Sequence, residues 1–583
     1  TGHDAGFDAV VGNPPWERIK LQEKEWFASR DEAIASAPNK AARGRLIAAL
    51  EKQPDGSDQA RLAKEWRDAL RGVAAASVFF HESEAFPLGG VGDTNLYAVF
   101  VDLFRRAIDG HGAAGVICPV GLGVGATYQT FFRHLVDRGQ LASFFTFENE
   151  ELLFAAVHNE TKFALVTLRG TERPEPQMRF SGFLRQTSQL LDRARVYVLK
   201  SDELELLNPN TRTAPLFRWA RDAEVALRQF SSTPVLRRLG IPHGDPWRID
   251  YMTMFHMAND SHRFVTATTA EADGAVREGR GWVYPDGRRL VPLYEGKMVW
   301  HFDHRYGTYE GQTRAQENKG VLPHVADATK ADPGYEILHR YWVEEAAVEQ
   351  ALEGRSSREW FILFRDIGPS ERTMVPCVAP RSASGNTSPL LLSSRTPRQI
   401  AFLLNAIASL GCDYALRQTS AGHVTLFAME QAPVPPPPEE ATRTPWAGET
   451  LLDFVVPRVV ELTSTSWGLA CFSEDCGLGP NAYRWDPERR RIIRAELDAL
   501  MFHLYGLDRA DTEWVLDSFN VLRKYEERPP DRGGQGEFLT RRLVLERYDA
   551  MADAIDRGAP YVTPLDPPPA DASVAHVRAG TES

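Results

Sequence analysis

The sequence is poor in cysteine and has no long apolar run. Its 583 residues include five cysteines, an odd and sparse set that excludes a disulfide scaffold and is typical of a reducing compartment. No apolar run reaches the roughly 18 residues that a membrane span needs. We therefore expect a cytoplasmic protein with no membrane partner.

The chain also lacks an excess of positive charge, because its formal net charge is −12. This excludes a uniformly basic surface for nucleic acid, although a local basic patch would not show in the total. Cys471 and Cys476 lie close together in the sequence, but no histidine or second cysteine pair stands near them at zinc spacing. We expect no metal site.

Strand and helix patterns alternate in one early part of the chain. The segment "NLYAVFVDLFRRAIDGHGAAGVICP", which begins at Asn95, has an amphipathic helical repeat up to Ile108 and then a short apolar strand, 115–118. "QTFFRHLVDRG" predicts another helix, and "ASFFTFEN" and "TKFALVTLRG" predict two more strands. Alternation of this kind predicts a doubly wound α/β sheet.

The remaining chain divides by composition. From 171 to 432, turn dipeptides separate apolar-aromatic strands, as in "GWVYPDGRRLVPLYEGKMVW". The proline-rich segment 433–445 predicts a stiff extended linker. Residues 446–563 predict helices, and 564–583 predict a flexible tail. Together with an α/β domain over 1–170, this is a multidomain organisation, as the length suggests.

A rigid elbow directly follows the first predicted strand, Phe7–Gly12. It reads Asn13-Pro14-Pro15-Trp16, and two successive prolines exclude both a helix and a central strand. Ligands of open α/β sheets bind beyond the carboxyl ends of the strands. The Asn13 side-chain oxygen and the Pro14 carbonyl can each accept a hydrogen bond, and Trp16 offers a flat face for stacking.

These groups suit the binding of a planar amine. The exocyclic amine of adenine or cytosine is a poor nucleophile because its lone pair is delocalised into the ring. Two acceptors on its hydrogens draw the nitrogen toward tetrahedral geometry and stabilise the positive charge that develops during methyl transfer. A base must leave the duplex to reach such a pocket. Asn13 by itself does not decide which base is bound.

The ordered set of segments resembles a known family. A strand with "NPPW", then "NLYAVFVDLFRRAIDGHGAAGVICP", then "LFAAVHNETKFALVTL" is similar to the gamma-class, TaqI-like amino-methyltransferases of DNA. Later segments, including "LYEGKMVWHFDHRYGTYEG", "FRDIGPSERT" and "SAGHVTLFAMEQAPVP", resemble large restriction–modification and phage-defence methyltransferases of the type IIG, BREX and DISARM kinds. The resemblance covers most of residues 5–550.

The resemblance implies a fold and an activity. The fold is the C-terminal part of a Rossmann-like methyltransferase domain over 1–170, a mixed α/β target-recognition domain over 171–432 and a helical C-terminal region. The activity is methyl transfer from S-adenosyl-L-methionine to the N6 amine of a flipped adenine in a specific double-stranded DNA sequence. Other subunits of a defence or restriction system are further expected partners.

The resemblance also assigns residues. The catalytic motif is Asn13, Pro14, Pro15 and Trp16, of which the first two bind the amine and Trp16 stacks on the base. Phe154 or His158 would lie on the other face of the base, and spacing does not choose between them.

Phe100 matches a position beside the adenine of S-adenosyl-L-methionine, although simple core packing explains that residue equally well.

One part of the family pattern is missing. Family members carry a glycine block for S-adenosyl-L-methionine well upstream of "NPPW", and only twelve residues precede Asn13 here. The glycine run 121–125 follows a strand, but no acidic residue is suitably placed after it, so we reject it as the cofactor loop. Residue 1 is Thr, and we expect the chain to be the later part of a longer protein and to be inactive alone.

Arginines among small polar residues predict a DNA-contact region. Between 368 and 398, arginines alternate with Gly, Ser and Asn, as in "RSASGNTS", a composition suited to phosphate and base-edge contacts. A lone arginine is more often a solvated or salt-bridged residue, so the prediction concerns the region. The candidate side chains are Lys297, Arg305, Arg365, Arg372 and Arg381.

Two other interpretations remain open on sequence. One is a DNA-recognition subunit or fragment without independent catalysis, which the missing glycine block favours. The other is a glutamine or RNA methyltransferase, since "NPP" with an aromatic residue also occurs there. The large region after 171 disfavours the second, because a small protein-modifying enzyme needs no specificity domain of that size.

Overall fold

The computed structural model describes residues 6–368, 371–419 and 424–578. The chain forms two compact units, Thr1–Ala223 and Glu224–Ser583. The first unit contains, in chain order, β1 (Phe7–Gly12), α1 (Glu23–Ala28), α2 (Glu32–Ala35), α3 (Lys40–Leu50), α4 (Asp58–Glu82), α5 (Leu96–Ala107), β2 (Ile108–Pro119), α6 (Gly121–Val124), α7 (Gln129–Asp137), β3 (Leu141–Glu148), β4 (Lys162–Arg169), β5 (Met178–Leu184), β6 (Tyr197–Leu199) and α8 (Ser201–Leu207).

These strands form one mixed six-stranded sheet in the order β1-β2-β4-β3-β5-β6. Strand β1 is parallel to β2, and β3 is parallel to β5, whereas β4 is antiparallel to both β2 and β3. The alternation of helices and strands predicted from the sequence is present, but β4 departs from the simple doubly wound order. It returns from β3 as a hairpin and inserts between β2 and β3.

The helices of this unit follow their sequence patterns. Asn95 caps α5 by accepting a hydrogen bond from the Tyr97 amide at 3.3 Å. The apolar face of α5 is buried, with Ala98 and Val101 fully inaccessible to solvent. On α7, Phe132 packs edge-on against Phe144 of β3, with ring centroids 5.6 Å apart. Aromatic packing of this kind adds to the burial that holds helices on a sheet.

The predicted boundary at 170 is wrong. Strands β5 and β6 continue the first sheet to Leu199, and the first unit extends to Ala223. Composition changes at about 171, whereas the sheet itself continues.

Helix α9 (Ala220–Ser232) begins in the first unit and ends in the second. The second unit then contains β7 (Ile249–Met252), α10 (Ala267–Ala272), β8 (Val276–Glu278), β9 (Gly281–Val283), β10 (Arg289–Tyr294), α11 (Arg314–Asn318), α12 (Asp327–Lys330), β11 (Trp342–Glu344), α13 (Glu345–Leu352), β12 (Trp360–Phe364), β13 (Pro376–Pro380), β14 (Ala383–Ser384), β15 (Leu390–Ser393), α14 (Pro397–Ala408), α15 (Leu410–Thr419), α16 (Leu426–Glu430), α17 (Leu451–Thr463), α18 (Ala470–Asp475), α19 (Pro487–Leu504), α20 (Arg509–Asp517), α21 (Asn520–Glu526) and α22 (Leu539–Arg557).

The second unit combines two sheets with a helical region. One sheet has the order β11-β10-β9-β8, with β14 paired to β10, and the other has the order β13-β12-β15-β7. All five residues of β12, "WFILF", are buried, as expected for a central strand covered on both faces. Strand residues such as Trp360 share one core cluster with helix residues such as Phe454 and Phe502. Mixed α/β structure and a helical C-terminal region are both present, as predicted, but they share a core.

The predicted linker 433–445 is packed against the second unit. Val434 is buried, and two buried side chains donate to the proline carbonyls: Trp247 Nε1 to Pro435 at 3.0 Å and the Tyr505 hydroxyl to Pro433 at 3.0 Å. The prolines stiffen this segment as expected, but the carbonyls of the segment are hydrogen-bonded within the unit. The prediction of a linker between separate domains is therefore wrong.

Most of the predicted flexible tail is also packed. Leu565 and Ala575 are buried, and the His576 amide donates to the Ala482 carbonyl at 2.8 Å. Residues 579–583 of that prediction lie outside the described residues.

Within the described residues, no single helix is long and apolar enough to cross a membrane. Helices α14 and α15 together have the length and composition of a membrane span, but they are bent by 56° relative to each other. Both contribute buried residues to the core of the second unit.

Candidate functional site

Three parallel strands of the first sheet end at the same edge. Strands β1, β2 and β3 run in one direction and finish at Gly12, Pro119 and Glu148. The segments that follow them are the Asn13–Trp16 elbow, the short helix α6 and the β3–β4 loop, 149–161. This carboxyl edge is where an open α/β sheet binds ligands, so the predicted motif lies at the expected place.

The elbow presents two unused acceptors. Asn13 is exposed, Pro14 is buried and Pro15 is exposed. Within the described part of the chain, neither the Asn13 side-chain oxygen nor the Pro14 carbonyl accepts a hydrogen bond from another residue. Packing thus fixes Pro14, and both oxygens can still accept hydrogen bonds from a ligand.

The chain after the elbow is held against the start of α5. The Leu96 amide donates to the Glu17 carbonyl at 2.9 Å, and the Ile19 amide donates to the Thr94 carbonyl at 3.0 Å. Asn95 Nδ2 donates to the Trp16 carbonyl at 3.4 Å. These bonds fix the backbone on the far side of the two prolines, so both ends of the elbow are anchored.

Trp16 lies in an aromatic cluster on the sheet. Its ring is near-parallel to that of Phe163, with centroids 6.1 Å apart, and Phe154 approaches it edge-on at 5.9 Å. Phe163 in turn stacks on Phe147 at 5.2 Å. The indole Nε1 of Trp16 is buried and has no hydrogen-bond partner among the described residues, which is costly for a buried donor.

The rings of Trp16 and Phe154, one of the two predicted pairs, leave no parallel slot for a base. A planar base between two rings needs parallel planes roughly 7 Å apart, twice the usual carbon–carbon contact distance of about 3.5 Å. The Trp16 and Phe154 planes instead make an angle of 75° at a centroid distance of 5.9 Å. His158, the other candidate, is exposed on the same loop, and its Nδ1 lies 3.3 Å from the Glu160 amide.

A buried asparagine that the sequence analysis did not single out organises this loop. Asn149 follows β3 and is inaccessible to solvent. Its Nδ2 donates to the carbonyls of Phe154 at 3.0 Å and Val157 at 2.9 Å, and its Oδ1 accepts from the Phe154 amide at 2.9 Å. Asn149 thereby sets the position of Phe154. Its only sequence signal is an asparagine at a strand end, a common turn residue.

Phe100 lies in the wall beside β1. Its half-buried ring is 6.0 Å from the ring of Phe104, at an interplanar angle of 68°. Phe104 occupies the space above Gly12, where a Cβ would lie 2.8 Å from its Cε2. Packing therefore accounts for one side of Phe100 and leaves part of the ring accessible at the carboxyl edge.

The glycine run 121–125 has a packing role. A Cβ on Gly123 would lie 2.5 Å from the Phe144 ring, and one on Gly125 would lie 2.7 Å from the Gly121 carbonyl oxygen. These glycines let the turn after β2 pass close to β3 and to itself.

Titratable groups near this edge are held neutral by burial. Burial raises the pKa of the Tyr97 and Tyr128 hydroxyls, and it raises the pKa of the Cys118 thiol at the end of β2. Since the thiolate is the reactive form of cysteine, burial disfavours Cys118 as a nucleophile. Among the described residues, no group of three His, Cys, Asp or Glu side chains is placed to hold a metal ion.

Arg305, predicted as a DNA contact, is fully buried in the second unit. Its guanidinium donates to the carbonyls of Asp332, Tyr335, Lys330 and Thr465. A side chain with these partners stabilises the interior, so the prediction of a surface contact is wrong for Arg305.

The other four candidate cations are also engaged within the second unit. Arg372 pairs with Asp413 at 2.7 Å, and Arg381 pairs with Glu349 at 2.7 Å. Further contacts are those of Arg365 Nε with the Val299 carbonyl at 2.9 Å and of Lys297 Nζ with Glu295 at 3.3 Å. The structure does not bring the five cations together as one free basic surface.

Comparisons with known proteins give only distant likenesses. No family model matches the chain, and no curated protein matches it. Its structure is similar to the Type IIL restriction–modification enzyme MmeI solved in complex with DNA, with 10% identity, a TM-score of 0.36, and coverage of 88% of this chain and 57% of that one. The type IIG restriction endonuclease BpuSI shows 12% identity and a TM-score of 0.25, over 75% of this chain and 52% of that one.

The ATP-dependent Type ISP restriction–modification enzyme LlaBIII, bound to DNA, shows 8% identity and a TM-score of 0.32, over 79% of this chain and 30% of that one. The chain thus spans little more than half the length of MmeI and less of LlaBIII. Likenesses this distant assign no function to the chain.

Proposed function

We propose that this chain carries the catalytic part of a DNA methyltransferase that acts on the N6 amine of a flipped adenine. The observation that carries the proposal is the pair of unused acceptors, Asn13 Oδ1 and the Pro14 carbonyl, at the carboxyl edge of the first sheet beside Trp16. The sequence resemblance to gamma-class methyltransferases of restriction–modification and phage-defence systems supports the same activity and the specific duplex DNA substrate.

The two acceptors would act on the amine directly. Asn13 Oδ1 and the Pro14 carbonyl would each accept one N–H of the amine, which draws the nitrogen lone pair out of conjugation with the ring. The same bonds stabilise the positive charge that develops on nitrogen as the methyl group is transferred. Because Pro14 is buried in a stiff turn, its carbonyl needs little reorganisation in the reaction.

S-adenosyl-L-methionine, when bound, supplies the electrophilic methyl group. Phe100 fits the aromatic side of that group, since part of its ring is accessible beside β1. The glycines at 121–125 pack closely against neighbouring atoms, and we assign them no role in binding it.

The arrangement of Trp16 and Phe154 adds a condition. Because their rings touch edge-on, a base can enter between them only when the 149–161 loop moves. We propose that base binding displaces Phe154 from Trp16 and that Asn149 defines the resting position of the loop. We assign target recognition to the second unit, through surface residues other than the five cations already engaged within it.

Methyl transfer from labelled S-adenosyl-L-methionine to duplex DNA, measured on the intact protein, tests this function. We expect Asn13→Ala to lower the rate roughly 100-fold or more, the usual cost of removing one preorganised hydrogen bond to the transition state, while DNA affinity persists. Asn13→Asp keeps an acceptor oxygen and should retain more activity than Asn13→Ala. Asn318→Ala, on the exposed helix α11, is the matched control.

Near-normal transfer by Asn13→Ala would contradict the role of Asn13. Specific DNA binding by the wild-type protein, with no methyl transfer to any base, would instead favour a recognition subunit.

A further inference from the structure

A small cavity in the second unit is lined by several guanidinium groups. It has a volume of about 90 Å³ and lies among α15, α19, α21 and α22. Its titratable lining residues are His301, Arg372, Arg491, Arg494, Asp498 and Glu526, and leucines form much of the remainder. A cavity that holds one water needs roughly 10–15 Å³, so this one has room for a compact polyatomic ion.

Several donors in this cavity have no partner in the protein. His301 is 3% exposed, and both of its ring nitrogens are buried without a hydrogen bond. Among the described residues, Arg491 and Arg494 form no hydrogen bond and no ion pair within 4.0 Å. Leaving a buried donor unsatisfied costs about 1–3 kcal/mol, so the His301 ring is expected to meet a ligand or ordered water. The guanidiniums of Arg491 and Arg494, which line the same cavity, are half-buried.

Three of the four carboxylate oxygens of Asp498 and Glu526 already accept hydrogen bonds within the described residues. Asp498 Oδ1 accepts from the Leu410 amide at 2.7 Å, and Glu526 accepts from the amide and hydroxyl of Thr540. The remaining cation of the lining, Arg372, is neutralised by Asp413 at 2.7 Å. The cavity therefore has an excess of unused donors over unused acceptors, which suits a ligand that only accepts hydrogen bonds.

We propose that this cavity binds a phosphate group, as the free anion or as the terminal phosphate of a mononucleotide. The planar forks of Arg491 and Arg494 suit the tetrahedral oxygens of phosphate, which arginine binds in a bidentate manner, and the His301 ring supplies a further donor.

Desolvation supports an anionic occupant of this cavity. Burial lowers the pKa of the Arg494 guanidinium, because it disfavours the charged form, and the nearby Asp498 carboxylate offsets this only in part. A bound phosphate would add further negative charge beside this guanidinium.

Calorimetric titration of the full chain with inorganic phosphate, against sodium chloride at equal ionic strength, tests the site. We expect saturable binding to the wild type and binding at least tenfold weaker in Arg494→Gln. The control is Arg484→Gln, which removes the same charge from an exposed side chain and should bind as the wild type does. Circular dichroism checks the fold, and Arg494→Lys, which keeps the charge but loses the fork, should bind with intermediate affinity.

The source of the phosphate is distinguished by a second titration with adenosine 5′-monophosphate. Tighter binding of the nucleotide assigns the site to a phosphomonoester, and binding of inorganic phosphate alone assigns it to the free ion. The proposal fails if folded wild-type chain shows no response to either ligand beyond that to chloride. It also fails if Arg484→Gln weakens binding as much as Arg494→Gln does.

Discussion

At the residue scale, two asparagines at the carboxyl edge of the first sheet use the same side chain in opposite ways. Asn13 is exposed and its side-chain oxygen accepts nothing, whereas Asn149 is buried and uses both ends of its amide. An unsatisfied polar group is cheap only where water can reach it. Asn13 is therefore available for a ligand, and Asn149 is available only to the loop that surrounds it.

Replacement of Asn149 should loosen the loop that carries Phe154. Asn149→Ala removes the donor to the Phe154 and Val157 carbonyls and the acceptor of the Phe154 amide. We expect a loss of roughly 2–3 kcal/mol in unfolding free energy, since buried groups are left unpaired, and faster amide exchange in 150–161. Calorimetry and hydrogen exchange measure these two effects.

The control for this prediction is Asn159→Ala, in the same loop but exposed. Its effect should stay within about 0.5 kcal/mol. Unchanged exchange of 150–161 in Asn149→Ala would show that the loop is held by its aromatic contacts and not by this amide.

Sequence reasoning predicts the surroundings of a residue where its neighbours are local. The position of Asn13 after a strand end could be predicted because two prolines and that strand end fix its surroundings within a few residues. Arg305 was misassigned because its four carbonyl partners lie at 330, 332, 335 and 465. Partners so distant in sequence leave no local signal, and an arginine without a visible partner is then taken for a surface residue.

At the element scale, helix α6 depends on the absence of a side chain at Gly123. A Cβ there would lie 2.5 Å from the Phe144 ring, so the turn after β2 and strand β3 would have to separate. We expect Gly123→Ala to destabilise the first unit by about 1–3 kcal/mol, the usual cost of overpacking. Scanning calorimetry measures this as a lower Tm.

A matched substitution in helix α4 should have the opposite effect on stability. Gly72 lies within Asp58–Glu82, and a Cβ there would meet nothing within 4 Å. Gly72→Ala should therefore stabilise the unit by roughly 0.5–1 kcal/mol, because alanine loses less backbone entropy in a helix. Equal shifts of Tm in the two variants would contradict the close contact at Gly123.

Helices and strands could be predicted where their sequence pattern depends only on neighbouring residues. The apolar repeat of α5 and the runs of β1 and β4 identify the type of each element from neighbouring residues. The position of β4 between β2 and β3 could not be predicted in this way, because it depends on pairings between distant residues such as Ile117 and Leu165. The loop 149–161 permits either a hairpin or a longer return, so the sequence does not choose the strand order.

At the scale of the whole molecule, core packing joins segments that composition separates. The cluster that includes Trp247, Phe402 and Tyr505 runs from the strands of the second unit to its last helices. The prolines at 433 and 435 accept hydrogen bonds from two of these side chains. Proline content indicated a stiff segment correctly, but the partners that make it part of the core are remote in sequence.

The end strand of the first sheet has an uncovered apolar surface. Among the described residues, β1 pairs with β2 on one side only, and its side chains Phe7 and Val11 are 65% and 87% exposed. A free apolar edge is a site of association between chains. We therefore expect the isolated chain to associate at high concentration through β1.

Lysine at the edge should suppress this association. Val11→Lys places a charge beside the free edge with little effect on stability, since the side chain is already exposed. The added charge also moves the formal net charge of −12 toward zero, which by itself favours association. A fall in association measured by sedimentation velocity must then come from the edge itself. Val577→Lys, at an 86% exposed position outside the strands, should not reduce association, and an equal reduction by both variants would rule out β1 as the contact.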